Sequence, residues 1–153
     1  IRLRRISLRD TAITGKSLNY LSQSANTMEN LDLSETQTND VGLKNLSRLK
    51  KLNRLNLWNT EIRDDGAAAL EILSNLTWLN LQNTAITDAS ASSLAKLKKL
   101  RVLNLSETDI TDDTLKALSA LNNLEELNVA FTQVTPQGVS GLTMKLPKIK
   151  IKQ

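Results

Sequence analysis

Residues 100–123 read LRVLNLSETDITDDTLKALSALNN, and their apolar spacing changes period partway along. Leu100, Leu103 and Leu105 end in the alternation of a strand with one buried face, whereas Leu115, Leu118 and Leu121 have the stripe spacing of a helix. Thr108, Ile110, Thr111 and Asp112 lie between the two halves as a turn. The same columns return at Leu52, Leu55, Leu57, Thr60 and Ile62, and at Leu76, Leu79, Leu81, Thr84 and Ile86. The threonine alone recurs at Thr11, Thr36, Thr60, Thr84, Thr108 and Thr132, in steps of 25, 24, 24, 24 and 24 residues. One strand–turn–helix unit is therefore repeated along the chain.

The frame L-x-x-L-x-L-x-x-T-x-I-T-D-x-x-L-x-x-L-x-x-L resembles the leucine-rich repeat family, specifically its 24-residue bacterial type. The resemblance implies an α/β fold: a curved solenoid with a parallel inner β-sheet, short outer helices and about six and a half repeats across residues 1–153. It also implies a binding protein rather than an enzyme, and an exported or cell-surface bacterial setting in preference to the cytoplasm. No unit closes a core by itself, so each must bury its leucines against both neighbours. Departures gather at the ends. Unit 1 carries one extra residue, unit 2 has Thr38 where isoleucine is expected, and the last unit comes early at Leu146, Ile149 and Ile151. With no shift of composition to mark a linker, 1–153 reads as one domain; its start at Ile1, in strand-like sequence, reads as a processed chain or a part of a longer one.

The turns explain themselves locally. Thr111 and Thr135 have the position of helix N-caps, Pro136 that of a first helical residue, and Asp40, Asp64, Asp88 and Asp112 that of acids facing a helix dipole. The repeated threonine is expected to be structural, its hydroxyl meeting buried backbone and its methyl packing inward. Metal binding by the Asp64–Asp65 or Asp112–Asp113 pairs is disfavoured, because calcium wants several oxygen ligands in one loop.

Composition narrows the chemistry. The chain contains no cysteine and no histidine, which removes thiol nucleophiles, most zinc sites and the usual general base. No glycine-rich phosphate loop occurs, and neither catalytic residues nor a cofactor are expected. The net charge is +4, with Arg2, Arg4, Arg5 and Arg9 at one end and Lys145, Lys148, Lys150 and Lys152 at the other. Glu29, Asp32, Glu35, Glu107, Glu125 and Glu126 interrupt any continuous basic stripe, so nucleic acid is a poor candidate partner.

Function must then come from positions that the repeat leaves free. Counting the first leucine of a unit as one, positions four and six point inward, and three, five and seven point off the inner sheet face. Position five reads Ser7, Asp32, Asn56, Asn80, Asn104, Asn128 and Lys150, for which a cross-strand amide ladder is the expected arrangement and recognition the alternative. Trp58 and Trp78 fall at positions seven and three of adjacent units, with Arg54 and Val102 expected beside Trp78, and Ser34 and Gln82 beside Trp58. Stacking of Arg54 on Trp78 is compatible with that register. Phe131 lies at position eight of unit 6.

These features point to a non-enzymatic module that binds a protein or extended peptide on its concave face, through Arg54, Asn56, Trp58, Trp78, Asn80, Gln82, Arg101, Asn104, Asn128 and Phe131. Two other readings compete: a scaffold using the ends or outer helices, and the substrate-recognition segment of a larger enzyme. Partner identity and oligomeric state are not encoded in any motif.

Overall fold

The strand half of each unit has only two leucines to bury, and the strands are correspondingly short. In the computed structural model, which describes residues 3–153, they are β1 (Arg5–Ser7), β2 (Asn30–Asp32), β3 (Arg54–Asn56), β4 (Trp78–Asn80), β5 (Val102–Asn104), β6 (Glu126–Asn128) and β7 (Lys150–Lys152). All pair in parallel, in chain order, as one seven-stranded sheet. Leu31, Leu55, Leu79, Leu103 and Leu127 stand abreast across it, and each is at most 2% exposed. Arg2 lies outside the described residues.

The helical half returns the chain on the opposite side through α1 (Asp40–Asn45), α2 (Asp64–Leu70), α3 (Ala91–Leu94), α4 (Asp112–Leu118) and α5 (Pro136–Lys145). Neighbouring units also touch along the turn: the Glu61 N–H donates to the Thr38 carbonyl, Ala85 to Ile62, Asp109 to Ile86 and Gln133 to Ile110. Between this second ladder and the sheet lies a continuous interior of leucine and isoleucine. This is a leucine-rich-repeat solenoid, as the spacing predicts.

The departures have physical causes. Unit 1 forms a 3₁₀ segment, Ser17–Ser24, with no side-chain cap; a Cβ on Gly15 would strike the Gly42 backbone, so the two glycines allow that first turn to lie close on α1. Thr38, in an isoleucine column, is fully buried. Its hydroxyl meets that of Thr36 at 2.8 Å, and because Thr36 donates to the Leu33 carbonyl at 2.6 Å, Thr38 is the donor of the pair. The last unit requires a correction. Lys150 pairs with Glu126 and so occupies position three, while Lys152 pairs with Asn128 and completes the position-five row. The 24-residue step is thus kept into β7, and Lys150 lies two positions before the place that a unit opening early at Leu146 would give it.

Candidate functional site

Units 2 to 6 turn out of their strands by one device. The position-five carboxamide or carboxylate oxygen accepts the backbone N–H two residues on: Asp32 from Ser34, Asn56 from Trp58, Asn80 from Gln82, Asn104 from Ser106 and Asn128 from Ala130, at 3.0–3.2 Å. The following residue then enters the left-handed region, with φ between 51° and 58° at Asp10, Glu35, Asn59, Asn83, Glu107 and Phe131. The repeated threonine closes the turn by donating to the carbonyl three residues back, as Thr60 does to Leu57 and Thr84 to Leu81, both at 2.6 Å. The asparagine row is thus not the expected ladder. Its oxygens are spent within their own units, and among the described residues the one cross-strand amide bond made by an asparagine of this row runs from Asn104 Nδ2 to Gln82 Oε1 at 3.0 Å.

That commitment sets the polarity of the face. An oxygen accepting a backbone N–H fixes which end of the amide is nitrogen, so Asn56, Asn80 and Asn128 turn their NH₂ groups outward with no partner among the described residues. The spine is a row of donors.

The indoles flank this spine. Trp78 stands between Arg54 and Val102 in row three, and the Arg54 guanidinium lies 4.5 Å from its ring centroid. Trp58 is covered from farther away. The Arg9 guanidinium lies 5.2 Å from that ring, reaching across the buried Ser34, while Glu35 holds the same guanidinium at 2.6 Å. Both rings are partly buried by these neighbours and stand on the sheet face, outside the leucine interior. Arg9 and Glu35 were not among the expected site residues; the small Ser34 between two large position-seven side chains was the available signal.

Trp78 separates two hollows on this face. One, of about 200 Å³, is lined by Asn30, Asp32, Arg54, Asn56 and Trp78 with Ile6 and Leu31. The other, of about 460 Å³, runs from Trp78 over Val102, Asn104, Glu126 and Asn128 to Lys150 and Lys152. Two expected residues stand apart. Arg101 is at the sheet margin, held by Glu125 through bonds of 2.9 and 2.8 Å that lower the Glu125 carboxyl below its ordinary range. Phe131 is at a turn, 85% exposed and in a backbone region that bulky side chains rarely enter.

The acids of the turns do more than face their own helix. Asp40 accepts the Arg63 N–H of the next unit at 2.8 Å. Asp64 takes both the N–H and the hydroxyl of Thr87, and Asp112 both from Thr135. Asp88 takes the same pair from Thr111 and a further pair from the buried Thr114. Partial burial of Asp88 pushes its pKa up, but the bonds from Thr111 and Thr114 outweigh it and hold the group below the usual carboxylate range. Asp112 is lowered chiefly by the Thr135 hydroxyl and N–H. These carboxylates grip the N-cap of the following helix. Among the described residues no group of acidic side chains is arranged to hold a metal ion, and no helix is long and apolar enough to cross a membrane.

Leucines repeat inside while the side chains on the hollow sheet face differ from unit to unit, and that division defines the class: a leucine-rich-repeat solenoid with a preformed concave surface. Residues 74–134 match the leucine rich repeat family model. Among solved structures, the chain is similar to an internalin C2 from Listeria monocytogenes, at 24% identity and a TM-score of 0.75, over 98% of this chain and 71% of that one. It is also similar to an internalin (inlF) from the same species, at 18% identity and a TM-score of 0.55, over 97% of this chain and 53% of that one. No curated protein sequence matches.

Proposed function

We propose that this solenoid is a non-enzymatic recognition module that binds a protein or an extended peptide on its concave sheet face. The observation that carries the reading is the pair of indoles standing on that face, each under an arginine and bordered by the donor row. Tryptophan and arginine are the residues most enriched where binding energy concentrates. The surface is also ordered before a partner arrives: Glu35 fixes Arg9, and strand-ending bonds fix Asn56, Asn80 and Asn128. Preorganisation of this kind lowers the entropic cost of association. Arg54, Asn56, Trp58, Trp78, Asn80, Gln82, Asn104 and Asn128 form the central contact set, with Arg101 and Phe131 at its margins. The resemblance to bacterial leucine-rich-repeat proteins extends the proposal to an exported or surface-attached setting and to a place within a longer chain.

A scaffold role through the outer side is the second reading, favoured by exposed Tyr20, Val41 and Ile72 and by a hollow of about 520 Å³ lined by Lys44, Ser47, Ala68, Ala69, Glu71 and Ile72. One experiment separates the two. Wild type, the concave pair Trp58→Ala and Trp78→Ala, and the outer pair Tyr20→Ser and Ile72→Ser are immobilised and exposed to an extract of the native source. A partner kept by wild type and the outer pair but lost from the concave pair supports the concave reading. Loss from the outer pair alone overturns it.

A further inference from the structure

We infer that the larger concave hollow takes an acidic, extended peptide segment in which a large apolar side chain is followed three residues later by aspartate or glutamate. The inference rests on the concave reading and adds the chemistry of the ligand. Three observations specify it. Trp78 and Val102 stand side by side in row three and form the apolar end of a space of about 460 Å³, enough for one large side chain with its backbone. At the other end Lys150 and Lys152 are both in unit 7, and among the described residues neither forms an ion pair. Along the floor, Asn128 offers its NH₂ group because its oxygen is held by the Ala130 N–H, so this stretch of the spine calls for acceptors on the ligand, as peptide carbonyls and carboxylates provide.

Geometry gives the spacing. Neighbouring strands lie about 4.8 Å apart, so the two strand steps from Val102 to Lys150 span roughly 10 Å, and an extended chain at about 3.3 Å per residue covers that in three residues. The ligand therefore runs across the strands, along the axis of the solenoid. Glu126 stands between Val102 and Lys150 in the same row, where it can accept a ligand backbone N–H and where it disfavours an acid placed sooner. Position three after the apolar residue lies beyond it, beside the lysines.

The test uses the whole chain, labelled with nitrogen-15, and a capped hexapeptide carrying leucine followed three residues later by aspartate. Saturable, concerted movement of the Trp78 indole N–H and the Asn128 side-chain amide signals is expected. Replacing the peptide aspartate by asparagine, or the protein lysines by K150Q with K152Q, weakens binding about fivefold, the size of two exposed charge contacts. K150E with K152E reverses the preference toward a peptide with lysine at that place, a gain that a merely unfolded variant cannot show. No movement at about 5 mM peptide, well above the range of weak specific binding, overturns the inference, as does equal binding of the aspartate, asparagine and lysine peptides. Either result leaves the indole-pair experiment free to succeed or fail independently.

Discussion

Arg63→Thr should stabilise the fold. Thr87, Thr111 and Thr135 each accept a helix N–H through the hydroxyl oxygen while donating to the preceding unit's aspartate at 2.8, 2.6 and 2.7 Å. Arg63 occupies the same column with φ −123° and ψ −173°, against −127° and −173° at Thr87, yet provides no side-chain cap. Only its N–H reaches Asp40. Threonine fits that backbone unchanged. The cap is worth about 1 kcal/mol, and an exposed hydroxyl bond to the free Asp40 oxygen adds about 0.5–1 kcal/mol after solvent screening. Removing a cation from a helix N-terminus contributes a few tenths more at low salt. Together these raise Tm by about 3–8 °C for a chain of this length. Thermal and urea unfolding followed by circular dichroism measure the gain, with Arg63→Ala as a control expected within about 0.5 kcal/mol of wild type. In an Asp40→Ala background the hydroxyl-to-carboxylate part disappears and the cap part survives. Equal stability of the threonine and alanine variants would refute the clamp-and-cap account of this column.

Further outcomes follow from the same geometry. Asp88→Ala, which leaves the buried Thr114 hydroxyl without its acceptor, should cost about 2–3 kcal/mol by urea titration. Asp88 and Asp112 have folded pKa values below their unfolded ones, so their contribution is complete above the ordinary carboxylate pKa of about 4 and is lost as pH falls through the lower folded values. The double Asp88→Asn, Asp112→Asn variant should therefore show a flatter acid limb between about pH 5 and 2 than wild type. Gly138→Ala drives a methyl into the Asp112 carboxylate whereas Gly141→Ala meets open space; the first should lower stability, and the second should raise it by about 0.5–1 kcal/mol, a sign difference that parallel melts reveal. Phe131→Asn relieves a left-handed backbone at an exposed site and should gain about 0.5–1 kcal/mol; a loss on denaturation would show that the ring is held by something the turn geometry omits.

The solenoid was legible because its determinants are local and repeated: Leu103, Leu105 and Leu115 mean the same thing in every unit. The row neighbours of Trp78 followed from that register alone. The grip of Asp88 on Thr111 was not legible, since it joins residues 23 apart that only the stacked fold brings together, although the recurring Thr-Asp pair was its trace. The direction of the Asn80 amide depended on which backbone N–H it met, which strand spacing does not specify. Lys150 was misplaced by two positions because Leu146 and Ile149 offer an apolar frame that opens two residues early, and no further strand follows to fix the phase. Trp58 is more covered than its position promised, because the arginine above it comes from two units away.

The carboxylate ties join units 2 through 6 and stop there: Gly15 stands in that column in unit 1 and Pro136 in unit 6. A bowed ribbon fastened along both margins cannot widen or tighten its arc without tearing a fastening. The stretch that carries both indoles should thus behave as a fixed mould, and whatever adjustment a guest demands falls to the first and last turns, which lack that aspartate fastening.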